Sequence, residues 1–417
     1  MTATQFTLLF LAALALTTLT RLWLARRHLS HIAAHRAAVP ETFSARVSLT
    51  EHQKAADYTS AKTRFGMIGT LFDGAMLLAF TVAGGIQFIA ERCNGWFDSP
   101  LMQGVATIVA VLMLSSLLET PFSLYRTFVI EERFGFNKMT LALYFKDALK
   151  GLLLGAALGL PLLFGVLWLM SAMGEYWWLY VWLVWMIFNL LVLFIYPTYI
   201  APLFNKFTPL QDEAMKARIE ALLARCGFTA SGLFVMDGSR RSAHGNAYFT
   251  GFGKSKRIVF FDTLLERLDG GEIEAVLAHE LGHFKRRHVI KRIAMTFAIS
   301  LGFLWLLGQL MQTEWFYAGL GVLPATTPST ALALLLFFLT LPVFSFLLNP
   351  LLSAYSRRHE FEADAYAAQQ TGSGNLIGAL VKLYQDNAAT LTPDPLYSKF
   401  YDSHPPAMVR IAHLQKL

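Results

Sequence analysis

Apolar residues in this chain are gathered into long runs that are separated by shorter polar stretches. Seven runs are long enough to cross a bilayer, since about 20 residues of helix span its hydrocarbon core. They cover residues 6–24, 67–89, 101–118, 152–173, 177–196, 293–311 and 330–348. The first run lacks a basic stretch before it and is followed by Arg26-Arg27, which is typical of an anchor rather than a signal peptide. The pattern predicts a mainly α-helical, multi-pass membrane protein with seven transmembrane helices.

The composition and the placement of charge agree with this prediction. Of the 417 residues, 55% are hydrophobic and 15% are charged, whereas soluble domains carry about 25% charged residues. Basic residues concentrate in loop 25–65, after the third run and after the fifth, which predicts an outside N-terminus and a cytoplasmic C-terminus. We interpret the net charge of +7 as anchoring to anionic lipid of the bilayer. Nucleic-acid binding is not expected, because no basic cluster carries a recognition motif.

The runs divide the chain into four predicted parts. These are membrane segments one to five in 1–196, a small cytoplasmic α+β catalytic part in 197–292, membrane segments six and seven in 293–348, and a C-terminal catalytic tail in 349–417. Cys93 and Cys226 are predicted on opposite sides of the membrane, so no disulfide or cysteine-metal framework is expected.

The stretch His279-Glu280-Leu281-Gly282-His283 carries the most specific chemistry. At spacing i, i+4 two imidazoles leave one face of a helix and can bind the same metal ion. Glu280 lies beside that face and can take a proton from a water at the metal. Apolar residues at helical spacing predict a single helix over residues 272–293. The five-residue pattern also arises by chance, so a metal site requires a third ligand.

Glu360 is the candidate third ligand, because a catalytic zinc has three protein ligands and one open position. Asp364 lies one turn further along a second predicted helix and can accept the other N–H of a ligating histidine. A charged stretch like the one around Glu360 is usually a helix face in contact with solvent. The HExxH stretch at 279–283 favours a metal ligand instead. His359 is a rival candidate for the third ligand, but it lies about 100° from Glu360 around the helix. Glu362 points to another side of the helix and is expected to be structural.

Two more stretches suggest substrate binding and catalysis. Residues 242–252 and 256–262 predict a β-hairpin upstream of the HExxH helix, where zinc proteases keep an edge strand that pairs with extended substrates. His404 in Ser403-His404-Pro405-Pro406 and Arg410 are candidate donors to an oxyanion. The sequence pattern alone favours a surface histidine in a C-terminal tail for His404, and Tyr248 and His244 are alternative donors.

Together these residues resemble the type I CAAX prenyl proteases, which are integral-membrane zinc endopeptidases. The resemblance covers most of the chain and rests on six stretches. They are FVIEERFGFNK at 128–138, NAYF at 246–249, KRIV at 256–259, HELGH at 279–283, SRRHEFEAD at 356–364 and SHPP at 403–406. The first stretch is the most specific to the family, although nothing in it suggests chemistry.

The resemblance implies seven tilted helices around a large water-filled chamber, with a gluzincin-like zinc domain at its cytoplasmic end. It also implies roles for individual residues. The implied zinc ligands are His279, His283 and Glu360, with Glu280 as base, His404 and Arg410 as stabilisers of the transition state, and Asn246, Ala247 and Tyr248 on the substrate strand. Eukaryotic members remove the last three residues after a prenylated cysteine. The compact chain resembles bacterial members, which favours a bacterial inner membrane over the endoplasmic reticulum and leaves a prenylated substrate open.

Three other functions deserve comparison. A site-2-type intramembrane protease would bury HExxH in an apolar span, and the charged residues at 272–288 argue against it. A quality-control zinc protease without a prenyl requirement stays open. A transporter with a structural zinc also stays open, although such a site is usually closed by four ligands and has no need of Glu280.

Overall fold

The computed structural model describes residues 1–250, 257–323 and 329–417. Long helices dominate the first half of the chain. They are α1 (Ala3–His35), α2 (Glu41–Ser44), α3 (Leu49–Phe80), α4 (Gly85–Asn94), α5 (Pro100–Tyr125), α6 (Leu141–Ala172), α7 (Trp177–Ile195) and α8 (Ala201–Phe204). Short π-helical stretches at Arg126–Glu131 and Tyr196–Ile200 continue α5 and α7.

The second half mixes helices with four short strands. The strands are β1 (Phe207–Pro209), β2 (Gly232–Met236), β3 (Ala247–Thr250) and β4 (Arg257–Phe261). The helices are α9 (Glu213–Cys226), α10 (Asp262–Leu265), α11 (Gly270–Lys285), α12 (His288–Leu310), α13 (Glu314–Ala318), α14 (Thr330–Ser345), α15 (Asn349–Thr371), α16 (Ser373–Asp386), α17 (Pro395–Tyr401) and α18 (Ala407–Leu414).

Six helices in the described ranges are long and apolar enough to cross a membrane. They lie at Ala3–His35, Pro100–Glu131, Leu141–Ala172, Gly174–Phe204, His288–Leu310 and Thr330–Thr371. A seventh results if α3 and α4, which are bent by 50° at their junction, count as one span. Each predicted run falls on one of these helices, so the multi-pass helical architecture is confirmed.

The predicted second run, 67–89, is not one straight helix. Helix α3 ends at Phe80, and α4 begins after Gly84, which has φ +82°. A side chain on Gly85 would lie 2.5 Å from the carbonyl oxygen of Ala79. The Gly84-Gly85 pair therefore permits a sharp bend that bulkier residues would not, and the sequence prediction missed it.

The four strands form one sheet in the order β1-β2-β4-β3. Strand β2 runs parallel to β4, while β1 and β3 pair antiparallel with β2 and β4. Helices α9, α11, α15 and α16 share one hydrophobic core with this sheet. The core includes Ile219, Leu222, Ile258, Phe260, Leu277, Leu281, Ala367 and Leu376. The predicted α+β part is confirmed, and it takes its helices from both sides of the last two membrane spans.

The HExxH helix packs closely against the helix that carries Glu360. An added Cβ on Gly282 of α11 would lie 3.0 Å from the Cα of Ala363 in α15 and 3.1 Å from its carbonyl oxygen. Glycine is unfavourable in a helix interior by about 1 kcal/mol relative to alanine. This close approach of two backbones explains why the position accepts that cost.

The prediction of a single helix over 272–293 is wrong. Helix α11 ends at Lys285 and α12 begins at His288, because Arg287 adopts a left-handed conformation with φ 57° and ψ 32°. Nothing in the local pattern signals this turn, since arginine rarely adopts positive φ. The break lets α11 pack on α15 while α12 leaves in a new direction.

Replacing Gly282 by alanine should weaken the contact between α11 and α15. Overpacking of this kind destabilises proteins by about 1–3 kcal/mol, so we expect a lower midpoint of thermal unfolding and a lower metal content in purified protein. Gly302→Ala is the control, because nothing lies within 4 Å of a Cβ added at that helical glycine. Wild-type unfolding and metal content in Gly282→Ala would contradict this account.

Candidate active site

Three side chains from two helices converge on one point. His279 and His283 of α11 bring their Nε2 atoms to 3.2 Å from each other. Glu360 of α15 places its carboxylate oxygens 3.4 Å from His279 Nε2 and 3.5 Å from His283 Nε2. The predicted ligand set is thus assembled by the tertiary structure, and its donor atoms lie within 4.8 Å of one another.

The charges and hydrogen bonds of this cluster fit a metal ion. Oε2 of Glu360 is buried and has no hydrogen-bond partner in the described part of the chain, which is costly for a carboxylate oxygen. Two imidazole nitrogens and one carboxylate oxygen are also the usual donors to a catalytic transition metal. A cation between the three side chains would give each donor a partner.

The two histidines differ in their affinity for a proton in the metal-free protein. Burial and the neighbouring His279 lower the pKa of His283 to about 3. Burial disfavours a proton on His279 as well, but hydrogen bonds to Asp364 and Glu360 raise its pKa to about 9. His283 is therefore neutral at pH 7, and the neutral imidazole is the form that binds a metal ion.

A buried ion pair orients His279 from behind. Nδ1 of His279 donates to Asp364 Oδ1 at 2.8 Å, and Asp364 is fully buried. Arg410 of α18 donates to both oxygens of the same carboxylate, from Nε at 2.8 Å and from Nη2 at 2.5 Å. The structure thus contains the hydrogen bond that the sequence predicted between Asp364 and a candidate ligand, His279. Arg410, predicted as an oxyanion donor, is engaged mainly with Asp364, and its Nη1 lies 4.0 Å from Glu360.

Glu280 lies next to this cluster on α11 and is largely enclosed by protein. Burial raises the pKa of its carboxyl group, and the negative charge of Glu360 acts in the same direction, while His279 and Arg410 oppose it. A carboxylate with a raised pKa accepts protons more readily near neutral pH, which is what a general base requires.

His404 joins the cluster from the C-terminal segment. Its Nε2 lies 3.4 Å from Oε1 of Glu360, and its Nδ1 lies 3.0 Å from the hydroxyl of Ser403. The side chain is 61% exposed, and partial desolvation beside the cluster lowers the pKa of this imidazole, so it is neutral at pH 7 and presents one N–H. The side chain lines a cavity of about 580 Å³ between α1, α3 and the segment 384–406. His404 therefore lies beside the metal cluster, with a ring that is exposed to this cavity.

The predicted hairpin is present as β3 and β4, and its turn at 251–256 lies outside the described residues. Strand β3 is at the edge of the sheet, and Phe249 contacts Phe284 of the HExxH helix with ring centroids 5.4 Å apart. Asn246, just before β3, is exposed. The ring of Tyr248 instead packs against Phe261 and lines a pocket with Pro197 and Phe207, so the geometry does not bring it to the metal cluster.

The stretch at 128–138 has a structural role that the sequence did not reveal. Glu131 accepts hydrogen bonds from the hydroxyl of Tyr58 in α3 at 2.7 and 2.8 Å. His244, two residues before Asn246, lies 3.6 Å from Glu131, stacks on Phe136 and bonds to the amide of Asn387. His244 is thus committed to these contacts instead of the metal cluster, and Glu131 joins a membrane helix to the segment that leads into β3.

The fold and the site define a multi-pass membrane metalloendopeptidase. The chain belongs to peptidase family M48: residues 209–417 match that family, and residues 28–206 match the CAAX prenyl protease N-terminal region of five membrane helices. It is 35% identical to the CAAX prenyl protease 1 homolog of Caenorhabditis elegans, with 91% of each chain covered. It is 34% identical to CAAX prenyl protease 1 of Saccharomyces cerevisiae, covering 87% of this chain and 85% of that one. The crystal structure of S. mikatae Ste24p matches with a TM-score of 0.92 at 31% identity, over 98% of this chain and 99% of that chain.

Replacing Asp364 by asparagine should weaken metal binding. The change keeps the shape of the side chain but removes the charge that orients His279 and neutralises buried Arg410. Loss of such an outer partner lowers metal affinity by about 10–100-fold, and an unpaired buried charge destabilises the fold by about 3–5 kcal/mol.

Competition with a chromogenic chelator measures the metal affinity of Asp364→Asn. Asp57→Asn is the matched control, because Asp57 pairs with Arg36 on the surface and both side chains are more than 40% exposed. An unchanged dissociation constant in Asp364→Asn would show that the carboxylate does not orient His279.

Proposed function

We propose that this metalloendopeptidase uses zinc to remove the C-terminal tripeptide from prenylated proteins or peptides at the cytoplasmic face of its membrane. The observation that carries the proposal is the convergence of His279, His283 and Glu360 beside Glu280. Relatives that match the chain over most of its length and are named CAAX prenyl protease 1 support the substrate class.

Zinc is the metal that these donors favour. Two imidazoles and a single carboxylate are typical ligands of catalytic zinc, whereas magnesium and calcium prefer sites made of oxygen donors. Three protein ligands leave one position for water or substrate. When bound, zinc would polarise the scissile carbonyl and lower the pKa of a water to near neutrality.

The side chains around the cluster divide the proton transfers among them. Glu280 takes the proton of the attacking water as oxygen bonds to the carbonyl carbon, and it then gives that proton to the nitrogen that leaves when the C–N bond breaks. His404 donates its N–H to the oxyanion of the tetrahedral intermediate. Arg410 holds Asp364, so that His279 keeps its orientation throughout the reaction.

The edge strand β3 offers a place for an extended substrate. The carbonyl of Asn246 accepts a hydrogen bond from the N–H of Phe261 in β4. Because the backbone groups of successive residues alternate in direction, the N–H and C=O of Tyr248 face β4, whereas those of Ala247 and Phe249 face the open edge. The Asn246 side chain accepts from the N–H of Ala247 at 2.8 Å. We propose that an extended substrate adds a strand at this edge, where its main chain pairs with the outward-facing backbone of Ala247, while Asn246 and Tyr248 flank that position and contact the substrate through their side chains.

The orientation in the membrane is also part of the proposal. The positive loops favour an N-terminus outside and a cytoplasmic C-terminus. That orientation puts α11 and the C-terminal segment on the same side, where a cytoplasmic protein chain reaches the cavity beside His404. The bacterial inner membrane stays a prediction from the compactness of the chain.

A pair of peptides tests the substrate class. Purified protein in detergent is given a farnesylated CAAX peptide or its unprenylated twin, with a chelator and Glu280→Gln as controls. We expect release of the tripeptide from the prenylated peptide only, and we expect Glu280→Gln to retain zinc while turnover falls by about 10²–10⁴-fold, the usual contribution of a general base.

The alternative outcomes of this experiment are distinct. Equal cleavage of both peptides would keep the zinc endopeptidase and indicate general membrane proteolysis. Cleavage of neither peptide by zinc-loaded protein would overturn the substrate class. An active Glu280→Gln variant would overturn the role of Glu280 as base.

The raised pKa of Glu280 predicts the acid side of the pH profile. Only the ionised carboxylate accepts a proton, so kcat/KM should fall as the pH drops through this pKa, at a higher pH than the value of about 4.3 for an exposed glutamate. Metal content is measured at each pH, because loss of zinc would also lower activity. A profile that stays flat to below pH 4.3 with zinc retained would contradict the assignment.

A further inference from the structure

His283 contacts a second histidine that lies outside the HExxH stretch. Its Nδ1 lies 3.0 Å from Nδ1 of His288, the first residue of α12. Nε2 of His288 lies 3.0 Å from Oε2 of Glu362 in α15. The ring of His288 is 1% exposed, so its polar atoms depend on these two partners. His283, His288 and Glu362 form a continuous chain of hydrogen bonds that ends at the metal cluster.

The left-handed turn at Arg287 makes this contact. In a continuous helix a residue five positions after His283 would lie about 140° away around the axis. The break between α11 and α12 instead folds His288 back beside His283. A non-glycine residue in this conformation costs about 1–2 kcal/mol, and such strain persists where the surrounding structure requires it.

We call the hydrogen-bonded chain of His283, His288 and Glu362 the relay. Neighbouring aromatic and charged groups hold this relay in place. His359 stacks on His288 with ring centroids 4.0 Å apart and an interplanar angle of 9°, and the ring of Tyr355 meets His359 edge-on with centroids 4.3 Å apart. Arg358 donates to Oε1 of Glu362 at 3.1 Å, which leaves Oε2 for His288. The imidazole of His288 therefore has a defined plane and a defined carboxylate partner.

The carboxylate end of the chain decides where each proton lies. An ionised Glu362 only accepts, so Nε2 of His288 donates to it. In the neutral imidazole Nδ1 is then an acceptor, so Nδ1 of His283 donates and its Nε2 carries a lone pair. We propose that His288, anchored on Glu362, is a positioning residue that fixes the tautomer of His283 and directs its Nε2 toward the metal.

The two ligating histidines are thus oriented in different ways. His279 donates directly to Asp364, which is fully buried and bonded to buried Arg410. His283 reaches its carboxylate through a second imidazole, and the other partner of that carboxylate, Arg358, is 79% exposed. Changes to the His288 relay therefore leave no buried arginine without its counter-ion.

Two substitutions at position 288 separate hydrogen bonding from packing. His288→Phe keeps a ring that stacks on His359 but removes the acceptor. His288→Asn gives up the ring but keeps an oxygen near the place of Nδ1. The zinc dissociation constant of each variant is measured by chelator competition, and the unfolding midpoint of each metal-free variant is recorded. His35→Phe is the matched control, since it makes the same change at an exposed histidine of α1 whose Nδ1 bonds to the backbone carbonyl of His31.

We expect His288→Phe to weaken zinc binding by about 10–100-fold, the usual effect of losing an outer partner of a metal ligand. His288→Asn should recover most of this loss, although it packs less well than Phe. His35→Phe should bind zinc like the wild type. A folded His288→Phe with wild-type affinity would overturn the inference. An Asn variant that binds zinc no better than Phe would also overturn it, because the acceptor would then be irrelevant.

This inference rests on the zinc site proposed above, and the experiment distinguishes the two. Failure of the wild type to bind zinc would reject the site itself. Wild-type binding together with unaffected variants would reject the relay alone. If His288→Phe does not fold, Glu362→Ala carries the test, with about the same expected loss of affinity and the same contradicting result.

Discussion

The contact between α11 and α15 is the constraint on which the rest of the active site depends. Gly282 lets the two backbones approach so closely that an added methyl group would meet the main chain of Ala363. That approach brings Glu360 within 3.4–3.5 Å of two imidazoles from the neighbouring helix. It also lets Asp364 and Glu362, on the same helix as Glu360, reach His279 and His288. Gly282 thus sets the distance from Glu360 to the two imidazoles, and also the distances from Asp364 to His279 and from Glu362 to His288.

Buried charge in this site is paired almost completely. Arg410 neutralises Asp364, Asp364 accepts from His279, and Glu362 accepts from His288. Oε2 of Glu360, by contrast, has no hydrogen-bond partner in the described part of the chain, and it lies 3.4 Å from Nε2 of His279, where a cation would bind. An unpaired buried carboxylate oxygen is unfavourable. The site therefore favours a bound cation between α11 and α15, next to this oxygen.

The membrane helices contribute more to the site than a support. Helices α1 and α3 line the cavity on which His404 lies, so the C-terminal segment meets the first two membrane elements there. Glu131 connects Tyr58 of α3 to His244, just before the edge strand. This connection gives a physical reason for a stretch whose sequence predicts no chemistry: it fixes the segment that leads to the substrate strand relative to the membrane part.

The sequence by itself determined the features that depend on local periodicity. Apolar runs marked the membrane helices, and i, i+4 spacing placed His279 with His283 and Glu360 with Asp364, because both patterns follow from the geometry of a single helix. Features that depend on contacts between distant segments were decided only by the tertiary structure. The bend at Gly84-Gly85, the left-handed Arg287 and the role of His288 are of this kind. The left-handed conformation of residue 287 is costly by itself, and it brings the buried ring of His288 to His283 on one side and to Glu362, 74 positions later, on the other.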